Sequence, residues 1–322
     1  MKQVRQFFLF GMLFFAFSCT EKDRKAAEID KISVALKVYR FDKEFLKTGP
    51  KGLPELKLKY PELFPTTVPD SIWIAKMEDT LQQELQTEIN KVFGDFNKET
   101  EALRSLFQHI RFYFPTYKVP KVVTLTSDVQ YAQRVVLTDT LLLIGLDNYL
   151  GKEHRFYRSF PKYISKGLRK SFLISDVGSV FTKTVNPYPK NRTLLARMIH
   201  YGKALYLKDL LTPNLSDSQK IGYENEELTW AQANEQQMWR YFVERDLLYS
   251  TDATLDRRFL DPAPFSKFGL ELDRESPGRL GRYIGWQIVR AFMAKNPKVS
   301  VMELLDLPAE DLFKKSNYKP KK

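Results

Sequence analysis

The sequence predicts an α+β fold that is predominantly helical, with a small β-sheet in the N-terminal half packed by a helical C-terminal half. Runs of strand character are confined to residues 33–146. Beyond Tyr149 the apolar residues recur almost entirely at helical spacing, with Pro187, Pro213, Pro262, Pro264, Pro297 and Pro308 between the helical stretches or at their edges. The chain has 322 residues, of which 43% are hydrophobic and 28% charged, so apolar mass is sufficient to offset the entropy of ordering and a disordered chain is excluded.

Lys2 and Arg5 precede an apolar run from Phe7 to Phe17, which ends at Ser18-Cys19 and then at the polar Thr20-Glu21-Lys22-Asp23. Charge, apolar stretch and small residue in that order are the layout of a secretory signal. The run is shorter than the about 20 apolar residues that a transmembrane helix needs. Residues 1–18 read as a signal peptide. Ala16-Phe17-Ser18-Cys19 resembles a bacterial lipobox, with bulky Phe17 where a small residue is usual. Cys19, the single cysteine, is therefore expected to be lipidated, and a free cysteine closing an uncleaved anchor is the competing reading. Each buried methylene of an acyl chain contributes about 0.8 kcal/mol, so two or more chains hold a protein on a bilayer. Residues 19–31 are expected to be a charged, mobile tether and 32–322 a single globular domain. The expected location is the cell envelope, lipid-anchored to a membrane, with the body periplasmic. That location sets nucleic acid aside as a partner despite the net charge of +12.

Within the body, residues 33–42 alternate apolar and polar side chains and read as a strand. Pro50, Pro54, Pro61, Pro65 and Pro69 make 48–70 a region of short turns and extended segments. Asp70 to about Phe114 turns helical, with stripes at Leu81, Leu85 and Ile89 and at Leu103, Leu106, Phe107, Ile110 and Phe114, broken at Gly94-Asp95. Strands follow at 121–126, 134–137 and 141–146. The last is a continuous apolar run and so a central strand buried on both faces, and Thr138-Asp139 supplies the hairpin turn before it. Helices are expected at 161–184, 191–211, 223–249, 277–296 and 307–315. No internal repeat or low-complexity stretch is present.

The chemistry-bearing motifs are sparse. One cysteine allows neither an intrachain disulfide nor a Cys-built zinc or iron–sulfur site. His109, His154 and His200 are followed by Ile110, Arg155 and Tyr201, so the His-Glu-x-x-His pattern of zinc peptidases, which sets two imidazoles on one helical face, does not occur. Val177-Gly178-Ser179-Val180 lacks the second glycine of a serine-hydrolase elbow. No Walker A loop or Gly-x-Gly-x-x-Gly is found. No catalytic residue, metal site or cofactor is expected.

Two basic clusters carry both a functional and a packing reading. Residues 152–170 interleave seven cations, among them Lys162, Lys166, Arg169 and Lys170, with Phe156, Tyr157, Phe160 and Tyr163. They read either as a contact for an anionic headgroup, polymer or acidic protein, or as a solvated helix face with its aromatics in the core. In Ser276-Pro277-Gly278-Arg279-Leu280-Gly281-Arg282-Tyr283-Ile284-Gly285, Ser276 reads as an N-cap and Pro277 as the first helical residue. Gly278, Gly281 and Gly285 fall on one helical face, each costing about 1 kcal/mol of helix propensity. That recurrence points to another backbone packed closely there. The sharper reading is an anion held at this helix start by Arg279 and Arg282.

The stretch from Ser276-Pro277-Gly278-Arg279 through Gly285-Trp286-Gln287-Ile288-Val289-Arg290 resembles the most distinctive part of the gliding motility lipoprotein GldB family of Bacteroidetes. Tyr201-Gly202-Lys203-Ala204-Leu205-Tyr206, Tyr39-Arg40-Phe41-Asp42 and the closing Ser316-Asn317-Tyr318-Lys319-Pro320 share the resemblance. It covers most of the mature chain. It implies an envelope lipoprotein associated with gliding motility and with the secretion machinery that gliding bacteria share. More distantly, the chain is similar to His-Glu-x-x-His zinc metallopeptidases, which implies a degenerate metallopeptidase-like scaffold. In such enzymes a helix like 191–211 carries Glu-Gly, where this sequence has His200-Tyr201-Gly202. The preceding helix has Ser175-Asp176-Val177-Gly178-Ser179 and no histidine. Those departures remove the ligands.

The function expected is a non-catalytic structural or assembly component of gliding or secretion machinery. It would be anchored to a membrane through acylated Cys19 and partnered by envelope proteins. The rivals are a metal-dependent, peptidase-like hydrolase with an unrecognised site and a cell-wall or glycan-binding lipoprotein using the basic-aromatic stretch.

Overall fold

The computed structural model describes residues 21–269 and 271–320. The signal peptide and Cys19 lie outside the described residues. The chain enters through α1 (Glu21–Asp30). Charged residues expected as a mobile tether are helical here because good helix formers are supported by the Arg24–Glu28 i,i+4 pair at 3.6 Å. Ile29 is buried, and Gln108 Nε2 donates to the Ile32 carbonyl at 3.0 Å just beyond the helix.

The expected strand over 33–42 shortens to β1 (Val38–Arg40), and a helix, α2 (Phe41–Thr48), starts directly after it. Asp42 and Glu44 in its first turn favour a helix start. Phe41 and Phe45, one turn apart, enter the same apolar cluster. The Tyr39-Arg40-Phe41-Asp42 motif has a structural use. Arg40 grips buried Asp42 bidentately at 2.9 and 2.7 Å, and Gln86 Nε2 donates to the same carboxylate at 3.1 Å.

The proline-rich segment forms α3 (Leu53–Lys59) between short turns, with Pro54 in its first turn. It is followed by α4 (Asp70–Glu78), α5 (Thr80–Phe93) and α6 (Asn97–Tyr113). The break at Gly94-Asp95 falls as expected, and a further one comes at Asp79, whose carboxylate caps α5 by accepting from Leu81 N at 2.9 Å.

The sheet is completed by β2 (Lys121–Leu125), β3 (Val135–Leu137) and β4 (Leu141–Gly145) in the order β1-β2-β4-β3. β1–β2 and β2–β4 are parallel and β3–β4 is the expected antiparallel hairpin. Thr138 closes its turn, its N–H donating to the Leu141 carbonyl at 2.8 Å. β4 is central. Leu142 and Ile144 point into the core under α5 and α6, while Leu141 and Leu143 pack on the opposite cluster formed by α2–α4.

The expected helix 161–184 is interrupted. It becomes α7 (Lys162–Ser165) and α8 (Leu173–Val185). Between them the backbone pairs with a distant segment instead, through a Leu150–Arg169 bridge and the Gly151 N–H donating to the Leu168 carbonyl at 2.9 Å. Leu168 is fully buried there.

α9 (Leu194–Leu211) follows. It is buried nearly all round, which marks it as the central helix of the C-terminal half. Leu194 to Leu205 belong to the C-terminal core and Leu207 and Leu211 to the core under the sheet, so α9 joins the two.

The expected helix 223–249 divides into α11 (Asn225–Ala233) and α12 (Glu235–Glu244), after a short α10 (Asp217–Ile221). α13 (Thr254–Phe259), α14 (Leu280–Lys295), α15 (Val301–Asp306) and α16 (Ala309–Ser316) complete the chain. α14 starts three residues later than its sequence suggests. Arg279, in the left-handed region at φ 64°, is its N-cap. Ser276 instead donates to the Asp273 and Ser266 carbonyls at 2.7 and 3.1 Å. The closing Ser316-Asn317-Tyr318 is tied back to this bundle. Tyr318 and Tyr283 each donate to Glu235 at 2.8 Å, and Lys295 caps the Ser316 carbonyl at 2.8 Å.

Candidate functional site

A cleft of about 620 Å³ lies between α8 and α9, roofed by the loop before β3 and by the start of α14. Polar groups enter it from four directions: Ser175, Asp176 and Ser179 from α8, His200, Tyr201 and Lys208 from α9, Arg134 from the β3 side, and Arg279 with Arg282 from α14. Apolar surface comes from Tyr131, Phe172, Tyr188, Leu205 and Pro262. Ser175, Asp176 and Ser179 thus face His200 and Tyr201 across one cleft.

Inside it, most hydrogen-bonding capacity is already used. Asp176 receives Arg134 at 2.7 and 3.1 Å and the Tyr149 hydroxyl at 3.0 Å, while the Arg134 guanidinium lies 4.1 Å from the Tyr131 ring centre. Ser175 Oγ donates to the Gln219 carbonyl at 2.6 Å. Ser179 Oγ donates to the Ser175 carbonyl at 2.8 Å and accepts from Lys208 Nζ at 2.9 Å. Lys208 Nζ also donates to the Lys220 carbonyl. Among the described residues, no group of three His, Cys, Asp or Glu side chains is placed to hold a metal ion.

The electrostatics are lopsided. Burial, then Arg279, Arg134 and Lys220, push the Lys208 ammonium down to about 7, against the pull of Asp176. Burial and the positive charges of Arg282 and Lys203 push the His200 imidazole down to about 4. Burial and Arg279 push the Arg282 guanidinium down to about 10. Each shift disfavours the charged form.

The expected anionic contacts are divided. Lys166, Arg169 and Lys170 do not share a helical face, because the helix is broken at 166–169 and resumes only with a 3₁₀ turn at Lys170–Phe172. Lys166 pairs with Glu227 at 2.5 Å, Arg169 with Glu224 at 3.0 Å and Lys170 with Glu99 at 2.8 Å, so each is a strut between elements. Lys162 is exposed. Arg279 and Arg282 line the cleft. Sequence reasoning missed Lys208, Arg134 and Asp176 as members of the site. The available signal was a lysine on the apolar face of a helix otherwise buried all round.

The glycine-based reading of close packing is seen directly. A Cβ on Gly278 would strike the Ala263 carbonyl, and one on Gly281 would crowd Phe259 and Leu260. These contacts hold the start of α14, and with it both arginines, against the cleft wall.

The family model for gliding motility protein GldB matches residues 22–320. No curated protein matches the chain, and no solved structure does. Since that match runs over nearly all of the 322 residues, the chain belongs to the gliding motility protein GldB family.

Proposed function

We propose that this protein works without catalysis, as an assembly component of gliding machinery held on an envelope membrane by acyl chains on Cys19. The observation supporting the non-catalytic part is the state of the cleft. Asp176 is committed to Arg134 and Tyr149, and His200 is half-buried and kept neutral beside Arg282. A general base needs a proton acceptor aimed at substrate, and these groups aim at the protein. Cys19 closes the lipobox-like Ala16-Phe17-Ser18-Cys19 at the end of the apolar run, so lipid is the proposed anchor. Envelope proteins of the same machinery are the proposed partners.

One observation favours a hydrolase reading. Lys208 Nζ lies 2.9 Å from Ser179 Oγ and is held near neutrality, as in a Ser–Lys pair. Ser179 is an interior residue of α8 and gives its proton to the Ser175 carbonyl, which sets it against nucleophilic use. The test is complementation of a deletion strain. Cys19→Ala is expected to leave the membrane fraction and to abolish gliding. Ser179→Ala and His200→Gln are expected to glide normally and to remain membrane-bound. Loss of gliding in either, at normal abundance and location, would overturn the non-catalytic reading.

A further inference from the structure

Arg40, Arg134, Arg197 and Arg290 each meet a carboxylate inside the fold. Setting aside exposed Lys183, three cations of the cleft do not. Arg279 Nη2 donates to the Gly222 carbonyl at 2.7 Å, Arg282 Nε to the Leu260 carbonyl, and Lys208 Nζ to Ser179 Oγ and the Lys220 carbonyl. All of those acceptors are neutral. Of the carboxylates that act on them from further off, Asp176 acts on Lys208 but is bonded to Arg134, and Asp261 acts on Arg282 without an ion pair. The three cations therefore share an enclosed space without a matching negative charge, an arrangement that costs free energy unless something supplies that charge.

Their orientation is fixed in advance. The Arg282 guanidinium lies 3.8 Å from the Tyr201 ring centre and that of Arg279 lies 5.4 Å from Tyr223. Gly222, at φ 76°, leaves room beside Arg279: a Cβ there would come within 3.3 Å of Nη1. Stacked arginines with unused N–H groups are suited to two-pronged capture of an oxyanion.

We infer that this cleft is a binding site for a dianionic phosphoryl group carried on an apolar or aromatic body, with Arg279, Arg282 and Lys208 holding the phosphoryl oxygens. A single carboxylate would neutralise only one of the two arginines, both charged at neutral pH, whereas a phosphate monoester matches both. The volume of about 620 Å³ far exceeds a bare ion and lies in the range of organic-ligand pockets. Tyr131, Phe172 and Leu205 offer surface for the rest of the molecule. The phosphoryl group has two sources, a membrane lipid headgroup or a soluble phosphoester. This inference stands on the cleft alone and is independent of Cys19.

The test is calorimetric titration of the purified full-length protein in detergent with phenyl phosphate, benzoate and dioctanoyl phosphatidic acid. Phenyl phosphate is expected to bind at least about tenfold more tightly than benzoate, and Arg279→Gln or Arg282→Gln to weaken it by about tenfold or more. Lys162→Gln, on the exposed basic segment, is expected to change nothing. Tighter binding of the phosphatidic acid assigns the lipid source, and tighter binding of phenyl phosphate the soluble one. A second readout needs no variant at the arginines: on phenyl phosphate binding, the His200 ring signal in the wild-type protein should titrate at higher pH, because the dianion offsets Arg282. Absence of binding by both phosphorylated probes, wild-type affinity in both arginine variants, or a His200 titration unmoved by bound ligand would overturn the inference. Hydrolysis of phenyl phosphate would instead overturn the non-catalytic reading while leaving the site intact.

Discussion

Gly202 of α9 and Gly285 of α14 lie backbone against backbone where the two helices cross. A Cβ on Gly285 would fall on the Met198 carbonyl and one on Gly202 on the Gly285 carbonyl, both well inside the 3.0 Å that real Cβ atoms keep. This crossing brings residues some 70 to 80 positions apart onto one wall, and it is why Lys208 shares a cleft with Arg279 and Arg282.

Gly202→Ala and Gly285→Ala are therefore expected to destabilise the protein. Overpacking costs about 1–3 kcal/mol, and the obstacle here is backbone, which cannot rotate away. Alanine returns up to about 1 kcal/mol of helix propensity, so a net loss of about 2 kcal/mol is expected from each. The double variant should lose less than the sum, because one separation of the helices relieves both clashes. Urea midpoints of the three variants check this, and a neutral Gly285→Ala would contradict the packing described.

A second prediction concerns the charges that anchor the other side of this crossing. Asp209 accepts from Arg290 at 2.8 and 2.7 Å, from Trp286 Nε1 at 2.9 Å and from Lys220 at 3.0 Å, whereas Asp217 meets Arg290 from the outer side at 2.7 and 2.9 Å. Side-chain exposure is 15% for Asp209 and 32% for Asp217. Removing one member of an enclosed network leaves its partners uncompensated, so Asp209→Asn is expected to cost about 3 kcal/mol. Asp217→Asn, closer to solvent, should cost about 1 kcal/mol. The order of the two denaturation midpoints is the check.

The parts of this fold that were legible in the sequence are those set by local chemistry. The β3–β4 hairpin follows from two apolar runs flanking Thr138-Asp139, and α9 and α14 follow from their apolar periodicity. The early end of β1 was hidden because Phe41 and Phe45 suit a strand as well as a helix, and the outcome rests on Asp42 meeting Arg40, Thr124 and Gln86. The break at 166–169 was hidden for the same reason, since its partners at Leu150 and Gly151 are remote in sequence. The site was half legible. Glycine spacing signalled a close approach at α14 and the two arginines stood out, but nothing local says that Lys208, on another helix, joins them.

Acid stability should report on His200. Its imidazole titrates near 4 in the folded protein against 6.5 unfolded, mainly through burial and then through Arg282 and Lys203. Between those pH values the unfolded chain holds the proton and the folded one does not, so stability rises with pH across that window and is lost as pH falls from 6.5 toward 4. His200→Gln, which keeps a donor for the Pro187 carbonyl, should flatten the urea midpoint over that range. An unchanged slope in the variant would place the proton-linked group elsewhere.

Lys208 gives the corresponding prediction above neutrality. The ammonium titrates near 7 when folded and at 10.5 when free, with burial the main cause and Arg279 the next charge against it. Both states are protonated below 7, so the cost of a buried cation is present in full there. From 7 upward the folded chain sheds a proton that the unfolded chain keeps, and stability rises with pH toward 10.5. Lys203, pushed down to about 8 by burial, acts in the same direction, with its bonds to the Leu305 and Leu307 carbonyls and the charge of Asp306 opposing the shift. Lys208→Met should thus weaken the rise between pH 7 and 9, and Lys203→Met in addition should remove most of what remains. Saturating phenyl phosphate should act like the first substitution in slope but not in stability: by holding Lys208 charged it removes the proton release while adding binding free energy to the folded state. A ligand that raised the midpoint equally at pH 7 and pH 9 would show that it sits away from this lysine.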